Sequence, residues 1–256
     1  MSLESQVATL VAAAGNNLLL PGQIAQTAIE QIAKVSQAYQ TAIATADIAR
    51  YVDQVLGNDA TNDGKTAGAP FKTIDRAIAD CTPGGLVTVT LLSNYLLDKN
   101  INILNKRVRV ATANNATRRT IATQKYSDPA TNTRCCYRFA MSGDSTLSLL
   151  SMDLQLPNTD GFTALARDFR SALIGPPDQL ADSIFTRQAV GLLSCDFAIP
   201  SNNLGAIVSG IMMHLYVANC TTSISPLAGR LVEKYQNTAG TAAVNVTDVF
   251  TNLTTL

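Results

Sequence analysis

Residues 51–78 read YVDQVLGNDATNDGKTAGAPFKTIDRAI, and the parsing of this stretch decides the fold. Between Gly57 and Gly68 it holds four Asx residues and three glycines, the residue types that build turns. Pro70 follows, and then a short helix is expected from Thr73 to Ala79. Thr73 can cap its start, while Ile74, Ala77 and Ile78 share one face. Pro83-Gly84-Gly85 stops it. The stretch therefore predicts a hinge and plug: a turn block, a proline, and one amphipathic helix that covers the first open layer of a β body. Such a cover is needed because an uncovered strand edge invites further pairing.

Downstream of the plug, strand signals recur. Leu86 to Leu92 (LVTVTLL) alternates apolar residues with Thr. Ile101 to Leu104, Val108 to Thr112, Thr120 to Thr123, Tyr137 to Met141, Thr146 to Leu156, Ala189 to Ile199, Ala206 to Cys220 and Ala242 to Val249 continue the texture, with Asx, Gly or Pro at the corners. Residues 157–188 lack alternation and read as a lateral insertion, with a helical turn around Gln179 to Phe185. An internal echo suggests stacked layers: Leu149-Leu150-Ser151-Met152-Asp153 resembles Leu192-Leu193-Ser194-Cys195-Asp196 at an offset of 43 residues, and Val217-Ala218-Asn219-Cys220-Thr221 follows 25 positions later. Met152, Cys195 and Cys220 are expected to stack inside.

Upstream, the texture is helical. Leu3, Val7, Leu10 and Ala14 form one stripe, and Gly15-Asn16-Asn17 ends it. A second helix is expected from Ile24 to about Ala49. One stripe on it includes Ala28, Ile32, Val35 and Tyr39, and an adjoining one includes Ile29, Ile32, Tyr39 and Ile43. Two adjoining stripes suit a bundle of three or more helices; packing along the chain's own β body is the alternative. The domain reading is a helical self-association segment over 1–50 and a β body over 51–256 with the lateral insertion near 157–188.

Composition narrows the function classes. Hydrophobic residues make up 46% of the chain, enough for a sizeable core, while charged residues reach only 15%. Lys+Arg and Asp+Glu balance at 19 each, so nothing draws the chain to nucleic acid or an anionic membrane. Glu4, Glu30 and Glu233 are the only glutamates; acidity carried by Asp favours turns over helix interiors. Five cysteines at irregular spacing imply neither a disulfide framework nor a zinc cluster, and read as buried thiols of a reducing cytoplasm. Met1 to Ala14 lacks the basic start of a secretory signal, and no apolar run is long enough to span a bilayer.

The pattern G-x-D-x-x-x-D-G followed by P-F-x-T-I-x-x-A-I is carried by Gly57, Asp59, Asp63, Gly64, Pro70, Phe71, Thr73, Ile74, Ala77 and Ile78. It resembles the entrance to right-handed parallel β-helix domains of the pectin-lyase-like kind in tailed-phage tail spikes and tail fibres. The opening Ser2 to Ala14 with Asn16-Asn17-Leu18 is similar to the start of many such fibre proteins. The resemblance covers the first third of the chain. It implies a mainly β fold, a right-handed parallel β-helix with an N-terminal coiled-coil-like arm, assembled as a homotrimer, and makes 1–50 an anchoring and trimerisation segment. It also implies a virion appendage, made in the host cytoplasm, that docks on tail, collar or baseplate proteins and meets a host-surface glycan. Leu3, Val7, Leu10, Ala28, Ile32, Val35, Tyr39 and Ile43 are the expected trimer contacts. Pro70, Phe71, Thr73, Ile74 and Ile78 are the expected β-helix cap.

Signals for catalysis or cofactor binding are few. His214 is the only histidine, which argues against His-rich metal sites and against a Ser/His/Asp triad. Asn58, Asp59, Asn62 and Asp63 offer oxygen ligands but lack EF-hand spacing, so Asx turns are the expected role. No cofactor, metal or membrane insertion is expected. Lys106, Arg107, Arg109, Arg118 and Arg119 form a basic cluster suited to a strand face, a subunit interface or a ligand. The one enzymatic geometry is a carboxylate pair: Asp153 and Asp196 occupy equivalent places in the echo, and layers about 5 Å apart match the separation in retaining glycosidases. Corner Asp residues that bond the next turn are the alternative. The chain has no Trp, although sugar sites commonly use aromatic platforms. The expectation is a non-enzymatic short fibre, with a small glycan-degrading tail spike as the competing reading.

Overall fold

Leu86–Leu91 reads LVTVTL. In the computed structural model of the chain its period of two buries Val87, Val89 and Leu91 and turns Leu86, Thr88 and Thr90 outward. The structure describes residues 4–9, 29–34, 47–113, 117–128, 133–158, 172–177, 188–200, 205–209, 213–222, 230–232 and 249–253. The chain divides into two compact units, Met1–Thr45 and Ala46–Leu256.

In the first unit the described residues form two short helices, α1 (residues 4–9) and α2 (residues 29–34). Val7, Ile29 and Ile32 are exposed there. Leu3, Leu10, Ala28, Val35, Tyr39 and Ile43 lie outside the described residues. No coiled-coil arm is seen among the described residues. No described helix is long and apolar enough to cross a membrane.

The second unit is mainly β. It opens with β1 (Asp47–Val52) and α3 (Ile74–Ala79), and then the chain runs in circuits. The first comprises β2 (Leu86–Leu91), β3 (Tyr95–Leu97) and β4 (Ile101–Leu104). The second comprises β5 (Arg107–Thr112), β6 (Thr120–Thr123), a hairpin of β7 (Lys125–Asp128) and β8 (Thr133–Cys136), and β9 (Phe139–Ser142). The third comprises β10 (Ser145–Leu150), β11 (Asp153–Gln155) and β12 (Ala172–Gly175). The fourth comprises β13 (Gln188–Leu193), β14 (Asp196–Ala198) and β15 (Ala206–Val208). Then come β16 (Met213–Ala218), β17 (Thr221–Thr222) and β18 (Val249–Thr251). First strands of each circuit join one seven-stranded sheet, β1-β2-β5-β10-β13-β16-β18. Second strands join a five-stranded sheet and third strands a four-stranded sheet. Every pairing within these three sheets is parallel, an arrangement compatible with a β-helix.

The register explains the core. Val89, Val110, Leu149, Leu192 and Val217 are successive partners across five strands, and all are buried. Tyr95, Ile121, Leu154 and Phe197 form a second inward column. Each such aliphatic side chain contributes about 1.5–3 kcal/mol of burial. The echoed segments pair in the expected register, Leu149 with Leu192 and Leu192 with Val217. Their corners share a conformation: Ser151, Ser194 and Asn219 all adopt positive φ (55°, 52° and 53°). The Ser151 and Ser194 N–H groups are held by Leu193 and Ala218 carbonyls in the following circuit.

The plug covers the C-terminal end of the β1 edge. Phe71 makes a parallel bridge to Val52. Its N–H donates to Tyr51 O at 2.9 Å, its carbonyl accepts from Asp53 N at 2.8 Å, and Tyr51 N donates to Gly64 O at 2.7 Å. Asp59 accepts from Lys72 N, Thr73 N and Thr73 Oγ1 at 2.7–3.0 Å. Asn58, Asp63 and Asp53 accept from backbone N–H groups two or three residues ahead. The Asx residues are thus turn-formers. Thr73 caps α3 through Arg76 N, and Ile74, Ala77 and Ile78 are buried against β1, β2 and β4. Tyr95 Oη accepts from Ile74 N at 3.2 Å; burial pushes its phenol above the ordinary range.

Four expectations change. The helix expected to run to Ala49 gives way to β1, where Ile48, Arg50 and Val52 take the less exposed side; pairing with β2 along its whole length outweighs the helix propensity of Ala49 and Arg50. Residues 157–188 are not wholly a lateral insertion, since Ala172–Gly175 is a strand between β9 and β15. All four of its residues are buried, so alternation vanishes. The remainder, 159–171 and 178–187, including the helical turn near Gln179 to Phe185, lies outside the described residues. The segments Thr146 to Leu156, Ala189 to Ile199 and Ala206 to Cys220 each break into two strands, the first two at Ser151 and Ser194. The hairpin β7–β8, with Tyr126 stacked on Tyr137 at 4.5 Å, was not expected.

Two glycines carry the plug geometry. A Cβ at Gly57 would lie 2.2 Å from Phe71 O, and one at Gly64 (φ +66°) would lie 2.5 Å from the Phe71 ring. Gly57→Ala is expected to lower stability by about 3 kcal/mol in chemical denaturation, whereas Gly68→Ala, with only Thr66 Oγ1 at 4.0 Å, is expected to be near neutral. Tyr95→Phe leaves the Ile74 N–H without its acceptor and is expected to cost about 1–2 kcal/mol in the same measurement.

Candidate functional site

A polar ladder on the outer surface crosses the five-stranded sheet. Thr120, Asp153, Asp196 and Thr221 are successive partners on β6, β11, β14 and β17. They sit on the outer side because Ile121, Leu154 and Phe197, the next residues along, point inward. Asp153 and Asp196 therefore stand on neighbouring strands about 4.8 Å apart.

Arg118 binds both. Its Nε lies 2.8 Å from Asp153 Oδ1 and its Nη2 3.3 Å from Asp196 Oδ2, and Nη2 also donates to the Met152 carbonyl at 2.9 Å. The Thr221 hydroxyl donates to Asp196 Oδ1. All three charged side chains are 31–45% exposed, so solvent screens the pairs and each contributes modestly. Gln155 flanks the ladder in a shallow groove. The charge arrangement is that of a clamped pair. A retaining glycosidase needs one protonated carboxyl and one free carboxylate with room for a sugar between them; here a single guanidinium is shared by both carboxylates.

A second outward surface lies on the seven-stranded sheet. Thr146, Ser148, Ala189 and Gly191 form a floor of small side chains, bordered by His214 and Tyr216 on the next strand. Tyr216 is 53% exposed. His214 is exposed on this rim.

The basic cluster expected from sequence is dispersed. Lys106 Nζ donates to the Ile78 carbonyl at 2.7 Å and tethers α3; Arg107 pairs with Asp47 at 3.3 Å; Arg118 holds the Asp pair. The role of Arg118 was missed because it is local to neither Asp in sequence, being 35 residues from Asp153. The Ser148–Gly191–Tyr216 row was also missed; its signal is the same offset that aligned the echo. The expected cap residues Pro70, Phe71, Thr73, Ile74 and Ile78 all lie in the plug at β1, and the Pro70 carbonyl accepts from Asn58 N and Asn62 Nδ2. Of the expected trimer contacts only Val7 and Ile32 are described, and both are exposed. No group of three His, Cys, Asp or Glu side chains able to hold a metal occurs among the described residues.

Comparison with known proteins adds no relative: no protein-family model matches the chain, and no curated protein matches it.

Arg118→Gln is expected to destabilise by about 1 kcal/mol at low ionic strength, more than an average surface substitution, because two neighbouring carboxylates lose their shared partner. In a double-mutant cycle with Asp196→Asn, the coupling should shrink as salt rises. Urea denaturation at two salt concentrations measures both effects.

Proposed function

We propose that this chain is a non-enzymatic structural component of a tailed-phage virion: a short homotrimeric tail or collar fibre. Its body is a right-handed parallel β-helix, and its N-terminal helices dock it on other tail, collar or baseplate proteins while the body projects toward a host-surface glycan or a virion partner. Assembly takes place in the host cytoplasm. The observation that carries this reading is the plug, where the residues that resemble a tail-spike entrance (Gly57, Asp59, Gly64, Pro70, Phe71 and Thr73) fold against the first strand of the seven-stranded parallel sheet. Exposed Val7, Ile29 and Ile32 in α1 and α2 further support helix contacts with other copies.

The runner-up is a small glycan-degrading tail spike, favoured by one observation, the in-register Asp153–Asp196 pair. Against it stand the shared Arg118 and the absence of any Trp from the sequence.

Analytical ultracentrifugation of the purified chain tests the main reading. A trimer is expected, with Ile32→Asp shifting it toward monomer; a monomeric wild type would overturn it. Incubation with polysaccharide from the native host separates the two readings. No reducing sugar is expected from the wild type. Release that disappears in Asp153→Asn or Asp196→Asn would establish the spike instead.

A further inference from the structure

The sulfur-bearing residues of the echo stand at equivalent positions of consecutive circuits. Leu193 pairs with Ala218 before the corner and Asp196 pairs with Thr221 after it, so Cys195 and Cys220 occupy matching places at a constant offset of 25 residues. Thr221 N donates to the Cys195 carbonyl at 3.0 Å, and Cys195 N points at Cys220 Sγ at 3.4 Å. Cys220 Sγ also lies 3.3 Å from the Leu192 carbonyl, inside the preceding circuit, so its side chain leans toward Cys195. Both thiols are free. Neighbouring strands hold matched Cα atoms about 4.8 Å apart, within the roughly 4.4–6.8 Å window a disulfide requires.

We propose that Cys195 and Cys220 are a redox-active dithiol that closes into a disulfide between two consecutive circuits when a small-molecule disulfide, such as oxidised glutathione, is supplied. The two sulfurs have different roles. Cys220 is partly exposed and Cys195 is fully buried, so Cys220 meets the oxidant. The neighbouring Cys195 thiol and the Cys195 backbone N–H that points at its sulfur hold the Cys220 thiol below its ordinary range, while proximity to Cys220 and burial push Cys195 up. In the reduced state the Cys195 sulfur lies 3.3 Å from the Leu149 carbonyl and 3.5 Å from the Leu193 carbonyl, so its side chain must turn toward Cys220 as the bond forms.

The Cys220 thiolate bonds to one sulfur of the oxidant, breaking its S–S bond and expelling one glutathione thiolate. Cys195 then gives up its proton, its sulfur bonds to Cys220 Sγ, and the second glutathione thiolate leaves. Two electrons pass from the protein thiols to the oxidant's disulfide, and the two glutathione thiolates take up the two protons. In a reducing compartment the thiols persist; in an oxidising one the staple closes. Cys81, Cys135 and Cys136 are buried and take no part.

The test uses the full chain in its native state, treated with oxidised glutathione, denatured and digested with an Asp-directed protease. Cleavage at Asp196 separates the two cysteines. The expected result is a reductant-sensitive cross-link between the Cys195 and Cys220 peptides, with the free-thiol titre falling from five to three. Cys195→Ser should stop at a stable glutathione adduct on Cys220, and Cys220→Ser should give no adduct on Cys195. The wild-type map decides the question even if either variant folds poorly. Five retained thiols, a lasting wild-type glutathione adduct on Cys220, or a cross-link to Cys135, Cys136 or Cys81 would each overturn the proposal.

Discussion

A stack of parallel strands satisfies its backbone groups only through the layer on either side, so its first layer always presents a row of unpaired N–H and C=O groups. The rest of this structure depends on how that row is closed. Here β1 is that row, and residues 57–71 fold back over its C-terminal end. Phe71 exchanges backbone hydrogen bonds with Tyr51 and Asp53, and Gly64 accepts from Tyr51. Leaving each of these groups unmade would cost about 1–3 kcal/mol if buried. The side chain of Phe71 is fully buried beneath the turn block, and the Arg76 guanidinium lies 4.7 Å from its ring centroid, a cation–π contact. The five-stranded sheet has its own exposed start at β3, and there a side chain does the work of a strand. Gln54 Nε2 donates to the Leu96 carbonyl at 2.9 Å, and its Oε1 accepts from Leu96 N at 2.7 Å.

With that end covered, each circuit can add to the last in register. The inward columns are apolar and the outward ones polar, and a one-residue slip would exchange them. The Thr120–Asp153–Asp196–Thr221 ladder and the buried Ile121–Leu154–Phe197 column are two consequences of one register. Stacking in register also places like charges side by side. Asp153 and Asp196 would repel at strand spacing, and Arg118, brought from the end of the connection that precedes β6, lies between them. The same stacking that forces the two carboxylates together forces Cys195 and Cys220 together, one circuit on.

The body therefore offers two kinds of outer surface from one construction rule. The five-stranded sheet presents a clamped, charge-balanced ladder. The seven-stranded sheet presents a floor of Thr146, Ser148, Ala189 and Gly191 with Tyr216 standing at its side. The first is suited to holding layers together. The second, with small side chains and an exposed aromatic, is more open to solvent.

The plug is legible in the chain alone, because turn chemistry is local: Gly57, Asp59, Gly64 and Thr73 act on backbone groups within about fifteen residues. The layer register is legible too, because the Leu-Leu-Ser-x-Asp echo carries the same corner conformation at each copy. The start of β1, Asp47 to Ala49, reads as the end of a helix, because an Ala-rich 3/4 pattern hides a period of two until β2 supplies a ladder. The strand β12 is not legible there because full burial erases alternation. That Arg118 belongs to the two aspartates, that Gln54 completes β3, and that Tyr95 accepts from the first N–H of α3 emerges only from the folded chain. These partners are 21 to 78 residues apart and meet only after the circuits have stacked, so no local pattern in the chain records them.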